Sequence, residues 1–396
     1  METLLREQLI NIEKENFIQV YNRLPIVVEK AEGVWIWDKD GTKYLDLLGG
    51  IAVNVLGHSH PKIIQAIIEQ AHRYMHLSNY FYQDAQINFV KKLTAISGYK
   101  RAFLTNSGTE STEGAIKLIR KWGTLHNKSE IIAFTGGFHG RTYGALSIMD
   151  KENYKQGMGP FLPNCKILQY NSVEDLVSNV NLDTAAVFLE FVQGEGGISS
   201  VSQEFVDTLF ELKKQNNFLI LADEVQSGMG RTGKFFSFEH YGVRPDAVII
   251  SKGLGGGLPL GAILIEDHLA DVWSKAQHGT TFGGNAISCA AGLVSLNEIE
   301  SHLMENARIV GEYFLKQLNS IQKEFPNKII EIRGKGLMIG VVLAFEAKLL
   351  LQELLKRRVI ANATSFNVLR IVPPLILTNE QVDIFIDALK DALKVL

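Results

Sequence analysis

From about residue 61 onward, short apolar runs alternate with helical patterns. This alternation most narrows the folds open to the chain. "KRAFLTNSG", "EIIAFTGGFHG", "AAVFLEFVQGEGG", "NFLILADEVQ" and "DAVIISKGLGGG" each hold a short apolar run that gives way to small or polar residues. A helix is expected after the first, from Thr109 to about Trp122. Apolar strands separated by helices predict an α/β fold with a mostly parallel sheet flanked by helices on both faces. Upstream, "GVWIWDKDGTKYLDLLGGIAVNVLG" reads as strands around an Asp-Gly turn. Downstream, a helical stretch from about Ala286 to Ile321 precedes a mixed tail: "KIIEIRGKGLMIGVVLAF", "LLLQELLKRRVIANA", "VLRIVPPLIL" and a last helix. That tail is expected to form a smaller α+β domain. The expected division is 1–48, an N-terminal segment packing with the small domain; 49–290, the large domain; and 291–396, a linking helix and the small domain.

The 396 residues are 46% hydrophobic, ample for a large core. Lys+Arg 40 against Asp+Glu 43 leaves a net charge of -3, which argues against nonspecific nucleic-acid binding. The two cysteines, Cys165 and Cys289, fit neither a disulfide framework nor a cysteine metal site, and point to a reducing compartment. "METLLREQLINIEKENF" lacks the basic start and apolar centre of a signal peptide. No apolar run approaches the roughly 20 residues that span a bilayer. The expectation is a soluble, cytoplasmic protein with neither membrane nor nucleic-acid partner.

In open α/β sheets ligands sit beyond the carboxyl ends of the strands, so the residues just after each apolar run are the candidates. After "AFLT" comes Asn106-Ser107-Gly108-Thr109-Glu110, where Ser107 and Glu110 fit a capping box and Gly108 permits close backbone approach. Taken alone it is an ordinary N-cap; it is also a phosphate-type helix start. After "IIAF", Phe138 lies between glycines, exposed enough to stack on a planar ligand or simply packed in its loop. Arg141 has the planar fork that grips a carboxylate, though a lone Arg is more often a solvated charge. After "FLILA" stand Asp223 and Glu224, then Val225 and Gln226. A carboxylate at a core strand end requires a partner, whether cap, salt bridge or protonated ring nitrogen. After "AVII", Lys252 precedes a string of glycines; on its own it reads as a surface lysine past a strand end.

Together these features carry a chemical meaning that none has alone. Pyridoxal 5'-phosphate needs a lysine amine for its aldehyde, a carboxylate on its pyridine nitrogen and a cradle for its phosphate. A desolvated Lys252 beside other cations has a lowered pKa and is nucleophilic. The glycines after it leave room for the cofactor.

At this point the sequence resembles the class III, or ornithine-type, aminotransferases nearly end to end. The resemblance lies in "LLGGIAVNVLGHSHP", "NSGTESTEGAIKL", "GGFHGRT", "VQGEGG", "LADEVQSGMGRTGKFFSFEHYGVRPD", "SKGLGGGLPLGA", "HGTTFGGN" and "LRIVPPLIL". It implies a fold-type I homodimer with shared active sites, the large domain holding pyridoxal phosphate. It implies that Ser107 and Gly108, with Thr109 nearby, hold the phosphate, and that Thr281 reaches it from the partner subunit. Phe138 would stack on one ring face and Val225 on the other. Asp223 would pair with the ring nitrogen and Gln226 with the ring hydroxyl, Glu224 lying in the same cofactor-side turn. Arg370 would grip the substrate α-carboxylate and Arg141 the second carboxylate, with Thr280 lining the pocket. Glu195 resembles the family's gate, pairing with Arg370 when no α-carboxylate is bound. Within the family, "GIAVNVLGH" and "FGGN" point to transfer of the δ-amine of N-acetylornithine to 2-oxoglutarate, in arginine biosynthesis. Ornithine, succinylornithine, 4-aminobutyrate and acetyl-lysine remain alternative donors.

The chain departs from the family at Glu190-Phe191, where Glu-Pro is usual before "QGEGG", and "VIANATSFN" before Arg370 varies among relatives. Three other classes were weighed. "GMGRTG" matches the dinucleotide-binding G-x-G-x-x-G of an oxidoreductase, but Asp-Glu-Val-Gln separates it from its strand and no clear helix start follows. His58 and His60, at i and i+2 without a nearby carboxylate or Cys, make a poor hydrolytic metal site, so no metal is expected. A non-catalytic binder would need Lys252 or Asp223 lost.

Overall fold

The computed structural model describes residues 6–396, so Met1 to Leu5 of the expected N-terminal segment lie outside the described residues. Among the described residues fifteen strands form three sheets. The first sheet begins with β1 (Val28–Glu32), β2 (Trp35–Asp38) and β3 (Lys43–Asp46), an antiparallel meander whose β2–β3 hairpin turns at Asp40-Gly41. The central sheet holds β4 (Arg101–Thr105), β5 (Glu130–Phe134), β6 (Cys165–Leu168), β7 (Thr184–Leu189), β8 (Leu219–Asp223), β9 (Ala247–Ile250) and β10 (Gly261–Ile265). Its order is β4-β10-β9-β8-β7-β5-β6. The third sheet, in the order β11-β12-β15-β14, is built from β11 (Ile329–Lys335), β12 (Met338–Leu343), β14 (Asn362–Thr364) and β15 (Val368–Ile371). The two-residue β13 (Val359–Ile360) runs parallel to β3, so C-terminal residues complete the N-terminal sheet.

Both faces of the central sheet are buried, which is why its strands read as continuous apolar runs rather than alternating ones. Ile132 and Phe134 of β5, with Val248 and Ile250 of β9, enter one core cluster. Their neighbours Ile131, Ala133, Ala247 and Ile249 enter a second cluster on the opposite face. There they meet Ala115, Ile116, Ile119 and Trp122 of the helix Gly108–Leu125.

The sheet is parallel from β9 through β6, but β10 runs antiparallel to both β9 and β4. The reason is chain length. Residues 251–260 alone separate β9 from β10, and a parallel crossover needs a dozen or more. The helix after β4 also differs in its cap. Ser107 accepts from Glu110 N, but the Glu110 carboxylate bonds Asn106 N at 2.9 Å, one residue before the N-cap. The expected long helix is Ala286–Glu298 and Met304–Glu324, joined by a π turn at Ile299–Leu303. Among the described residues no helix is long and apolar enough to cross a membrane.

Helix Met304–Glu324 meets the third sheet at a bare backbone contact. A Cβ on Gly311 would lie 2.3 Å from the Gly336 carbonyl oxygen. Gly311→Ala raises helix propensity by up to about 1 kcal/mol, but overpacking against rigid backbone costs about 1–3 kcal/mol. The expected result is a lower unfolding midpoint for Gly311→Ala; a raised one would mean that the Gly336 turn yields freely.

Candidate active site

β4, β5, β7, β8 and β9 all end at the same edge of the central sheet, and a cavity of about 530 Å3 opens there. Its wall takes residues from the turn after each of these five strands: Ser107, Phe138, Glu190, Asp223 and Lys252 are one from each. The reversed strand β10 closes the edge with Pro259 and Leu260, which precede its first residue. Gly108, Thr109, Arg141, Val225 and Gln226 line the same cavity. A Cβ on Gly108 would stand 2.8 Å from Val225 Cγ1, so glycine is needed where the helix start meets that side chain.

Lys252 lies two residues past β9 with φ 46, a left-handed conformation that a non-glycine residue rarely holds without tertiary support. It makes no hydrogen bond or ion pair among the described residues. Burial pushes its pKa from 10.5 down to about 8, and the charge of Arg370 adds to that; Glu195, Asp223 and Glu190 oppose it. A larger fraction of the amine is thus neutral near physiological pH than in an ordinary lysine, and it faces the cavity it lines.

Asp223 is 3% exposed, and its Oδ2 lies 2.8 Å from His139 Nδ1 while its Oδ1 accepts from Val225 N at 3.0 Å. His139 and Glu190 are the site members that strand-end reading left without a role. Glu190 accepts from Phe138 N at 3.0 Å and from Gly194 N at 2.9 Å, joining the turns after β5 and β7. Burial, then the Asp223 charge, raises its pKa. A carboxylate at a buried strand end with two donors waiting was the available signal for it. Phe191, where the family usually has Pro, is buried with its ring 5.9 Å from Phe238 and 5.7 Å from Tyr241. Glu224 is not in the cavity wall. Its carboxylate turns into the core, taking Ser227 Oγ at 2.8 Å and Ser237 N at 3.0 Å, because adjacent side chains leave a strand in opposite directions.

Arg370, on β15, is 2% exposed and hydrogen-bonds and ion-pairs with Glu195. Its Nε donates to Asn362 Oδ1 at 3.0 Å, the residue directly opposite on β14, and its Nη1 to Gln226 Oε1 at 3.2 Å. Burial would raise the Glu195 carboxyl, but the Arg370 charge and hydrogen bond, helped by Lys252 and Lys151, hold it below its ordinary value. Thr364 and Ser365 hydroxyls donate to the Glu195 carbonyl at 2.5 and 3.2 Å, so "VIANATSFN" holds both members of the pair. Thr280 and Thr281 stand apart from this cavity. Thr280 touches its wall only through Asn106, at 3.2 Å, and Thr281 is exposed on the surface of the chain. His58, set aside as a metal ligand for want of a carboxylate, has one: its Nε2 lies 2.7 Å from Asp46 Oδ2 in a structural contact.

The sequence matches the aminotransferase class-III family over residues 18–393. The chain belongs to that family. It is 42% identical over 391 residues to the acetylornithine aminotransferase of Methanocaldococcus jannaschii, covering 98% of each chain. It is also 42% identical to the acetylornithine aminotransferase of Caldanaerobacter subterraneus subsp. tengcongensis, over 97% of this chain and 99% of the relative. Among solved structures, the ornithine aminotransferase from Toxoplasma gondii ME49 superposes with TM-score 0.95 at 28% identity, over 100% of this chain and 96% of that one. The acetylornithine aminotransferase from Elizabethkingia anophelis gives 0.89 at 33%, over 100% of both. This class-III aminotransferase is a pyridoxal-phosphate enzyme with the fold-type I architecture of its relatives. The cavity fits that cofactor in its donor set: an amine of lowered pKa, a buried carboxylate in the same wall, and a helix start whose glycine leaves space for a phosphate.

The lowered pKa is testable on the amine itself. Competitive acetylation of cofactor-free protein with trace acetic anhydride labels only neutral amines. Labelling of the Lys252 peptide should rise with pH and reach half its plateau near pH 8, because the neutral fraction grows as pH passes the lowered pKa. A midpoint near 10.5, that of an ordinary lysine, would contradict the burial argument.

Proposed function

We propose that this class-III aminotransferase transfers the δ-amino group of N2-acetyl-L-ornithine to 2-oxoglutarate, giving N-acetyl-L-glutamate 5-semialdehyde and L-glutamate, a step of arginine biosynthesis. Its relatives' names support the donor. The observation that carries the reading is the inequality of two arginines, Arg141 in the cavity wall and Arg370 behind its Gln226. Arg370 is buried and already paired with Glu195, whereas Arg141 lines the cavity without an ion-pair partner among the described residues. A site that takes glutamate by its α-amine and acetylornithine by its terminal amine needs this asymmetry. Glutamate requires a cation for each carboxylate. Acetylornithine, turned end for end, places its one carboxylate at Arg141 and leaves Arg370 to be neutralised by Glu195.

Pyridoxal phosphate, when bound, supplies the carbonyl that carries the amino group and the ring that accepts electrons from the substrate carbon. Ser107, Gly108 and Thr109 would hold its phosphate at the helix start. Phe138 and Val225 would pack on the ring, and Gln226, its Oε1 engaged by Arg370, would donate to the ring hydroxyl through its Nε2. Asp223, oriented by His139, would keep the proton on the ring nitrogen. Lys252 would hold the cofactor at rest and move a proton at the substrate carbon during transfer. We assign Glu224 no cofactor contact. We retain the division at 1–48, 49–290 and 291–396, supported by the linking helix and by β13 joining β3, and we place the enzyme in the cytoplasm.

Replacing Glu195 with Gln removes the charge that neutralises Arg370 in the acetylornithine orientation only. The expected outcome is that Glu195→Gln slows the acetylornithine half-reaction at least tenfold more than the glutamate half-reaction, a difference of about 1.4 kcal/mol. Single-turnover absorbance of each half-reaction measures it, and equal slowing refutes the gate. A higher kcat/KM for ornithine or 4-aminobutyrate than for acetylornithine would move the donor assignment while leaving the aminotransferase chemistry in place.

We also propose a homodimer with shared sites. Thr281 stands beside an exposed apolar surface formed by Met75, Tyr80, Phe81, Tyr82 and Phe282. The 75–79 segment is tied to the Thr281 turn by Asn285 to the Met75 carbonyl at 3.1 Å and Asn79 to the Thr280 carbonyl at 3.3 Å. A patch of this kind marks an association surface, and a two-fold contact would bring Thr281 to the other subunit's phosphate end. Sedimentation should give a dimer, and Thr281→Ala should weaken cofactor retention without dissociating it. A monomer with full activity contradicts the proposal.

A further inference from the structure

Against Arg141 and Phe138 of the cavity wall stands an aromatic residue, Tyr154, that neither the strand-end reading nor the family resemblance singles out. Arg141 lies with its guanidinium carbon 3.6 Å from the centroid of the Tyr154 ring, and 5.6 Å from that of Phe138. The Tyr154 and Phe138 rings meet edge to face at 6.2 Å. Lys151 Nζ stands 5.6 Å from the same Tyr154 centroid. One ring therefore serves two cations, and neither Arg141 nor Lys151 has a carboxylate partner among the described residues. Among the described residues, the other three arginines that lie over a ring, Arg23, Arg73 and Arg244, are all ion-paired.

The chemistry of stacking gives the arrangement a use. A guanidinium at 3.6 Å lies on the ring face, and its N–H donors point outward in its own plane. The ring thus takes up one face of Arg141 without consuming a single donor, and the fork stays free for a carboxylate. An ion pair would have used those donors. An unsupported Arg141, which is exposed, would lose side-chain entropy each time it bound. Lys151 adds charge but has no fork of its own. Phe138 joins the same cluster, so the ring that packs on the cofactor and the cation that receives the far end of the substrate share one support.

We infer that Tyr154 is a positioning residue that holds Arg141 ready for the substrate carboxylate farthest from Lys252, and that Lys151 adds a second positive charge to that subsite. The inference rests on the proposed role of Arg141. It concerns selection of dicarboxylate acceptors, not the transfer chemistry.

The test is the ratio of kcat/KM for 2-oxoglutarate to that for pyruvate, which lacks the second carboxylate. Tyr154→Ala should lower this ratio about two- to fivefold through KM for 2-oxoglutarate, on the scale of an exposed cation–π contact, with kcat changed less than about twofold. Tyr154→Phe keeps the ring face and should restore the ratio. Lys151→Met should lower it about threefold, and less at high salt, since an exposed charge is screened. If Tyr154→Ala does not fold, Tyr154→Leu, which keeps bulk but has no π face, carries the same expectation; cofactor absorbance and thermal midpoint report folding independently. Arg141→Ala separates the two levels of argument. If Arg141→Ala leaves the ratio unchanged, the carboxylate assignment itself fails. If Arg141→Ala collapses the ratio while Tyr154→Ala or Tyr154→Leu does not, or if Tyr154→Phe is as impaired as Tyr154→Ala, the platform is refuted and the Arg141 assignment stands.

Discussion

The pairing of Arg370 with Glu195 is the contact on which the site depends. A guanidinium 2% exposed and without a partner would be destabilising by several kcal/mol, and the Glu195 carboxylate supplies Arg370 with the opposite charge. The two residues come from different parts of the chain. Arg370 sits on β15 of the third sheet, and Glu195 in the turn after β7 of the central one. Their pairing therefore fixes how one sheet lies against the other at the cavity. The surrounding polar groups agree with it: Asn362 takes the guanidinium Nε from the facing strand, while Thr364 and Ser365 hold the Glu195 backbone. The pair also acts on Lys252 with opposite signs, Arg370 lowering its pKa and Glu195 raising it. Whatever neutralises Arg370, a protein carboxylate or one from a substrate, the amine sees a similar net field.

That field acts on a side chain the backbone holds in an unusual state. Lys252 has φ 46, and Gly256 and Gly257 follow with φ 60 and 102. This run of left-handed residues is what turns the chain from β9 into the antiparallel β10 within a few residues. A helical crossover would have carried the chain away from the edge. The short return keeps Pro259 and Leu260 in the same cavity wall as the lysine instead. Lowered pKa and strained backbone thus have one origin, the tight reversal at the strand end.

Much of this was legible in the sequence because it follows from short-range rules. Five of the seven strands of the central sheet, the helix after Ser107 and the gathering of Phe138, Asp223, Val225 and Lys252 at one edge required only apolar runs and the residues next to them. What escaped were the contacts made across sequence distance. His139 was quoted within its motif, yet its bond to Asp223 spans 84 positions and leaves no local trace. Glu190 faces two backbone donors on separate turns. Glu224, which the resemblance places on the cofactor side beside Asp223, turns into the core, since adjacent residues along a strand send their side chains to opposite sides. Tyr154 lies outside every strand-end turn, in a surface segment with no periodicity, and only the fold brings it under Arg141. The antiparallel β10 was missed for a different reason: the glycines after Lys252 were read as space for a ligand, and they also reverse the chain.

The loop "GMGRTG" shows why glycine spacing alone says so little. Gly230 and Gly233 have φ 81 and 83, as a nucleotide loop could, yet no helix start follows them. Between them Arg231 is 1% exposed and donates to the carbonyls of Leu337, at 3.1 Å, and Pro373, at 2.5 Å. Leu337 N returns a bond to the Arg231 carbonyl at 2.9 Å. A Cβ on Gly336 would lie 2.6 Å from that carbonyl, and one on Gly233 3.0 Å from Arg308, so the glycines are there to let backbones meet. Arg231 has no carboxylate nearby, and burial lowers its pKa to about 9. Carbonyl oxygens are weak compensation for a buried charge, and its Nε and Nη2 find no partner among the described residues. The energy lost there is offset by position. Pro373 lies three residues past Arg370, so a loop of the central sheet grips the same strand end that the Glu195 pair grips from the cavity side. Two contacts on one short strand, one ionic and one through carbonyls, hold the end of β15 that carries Arg370.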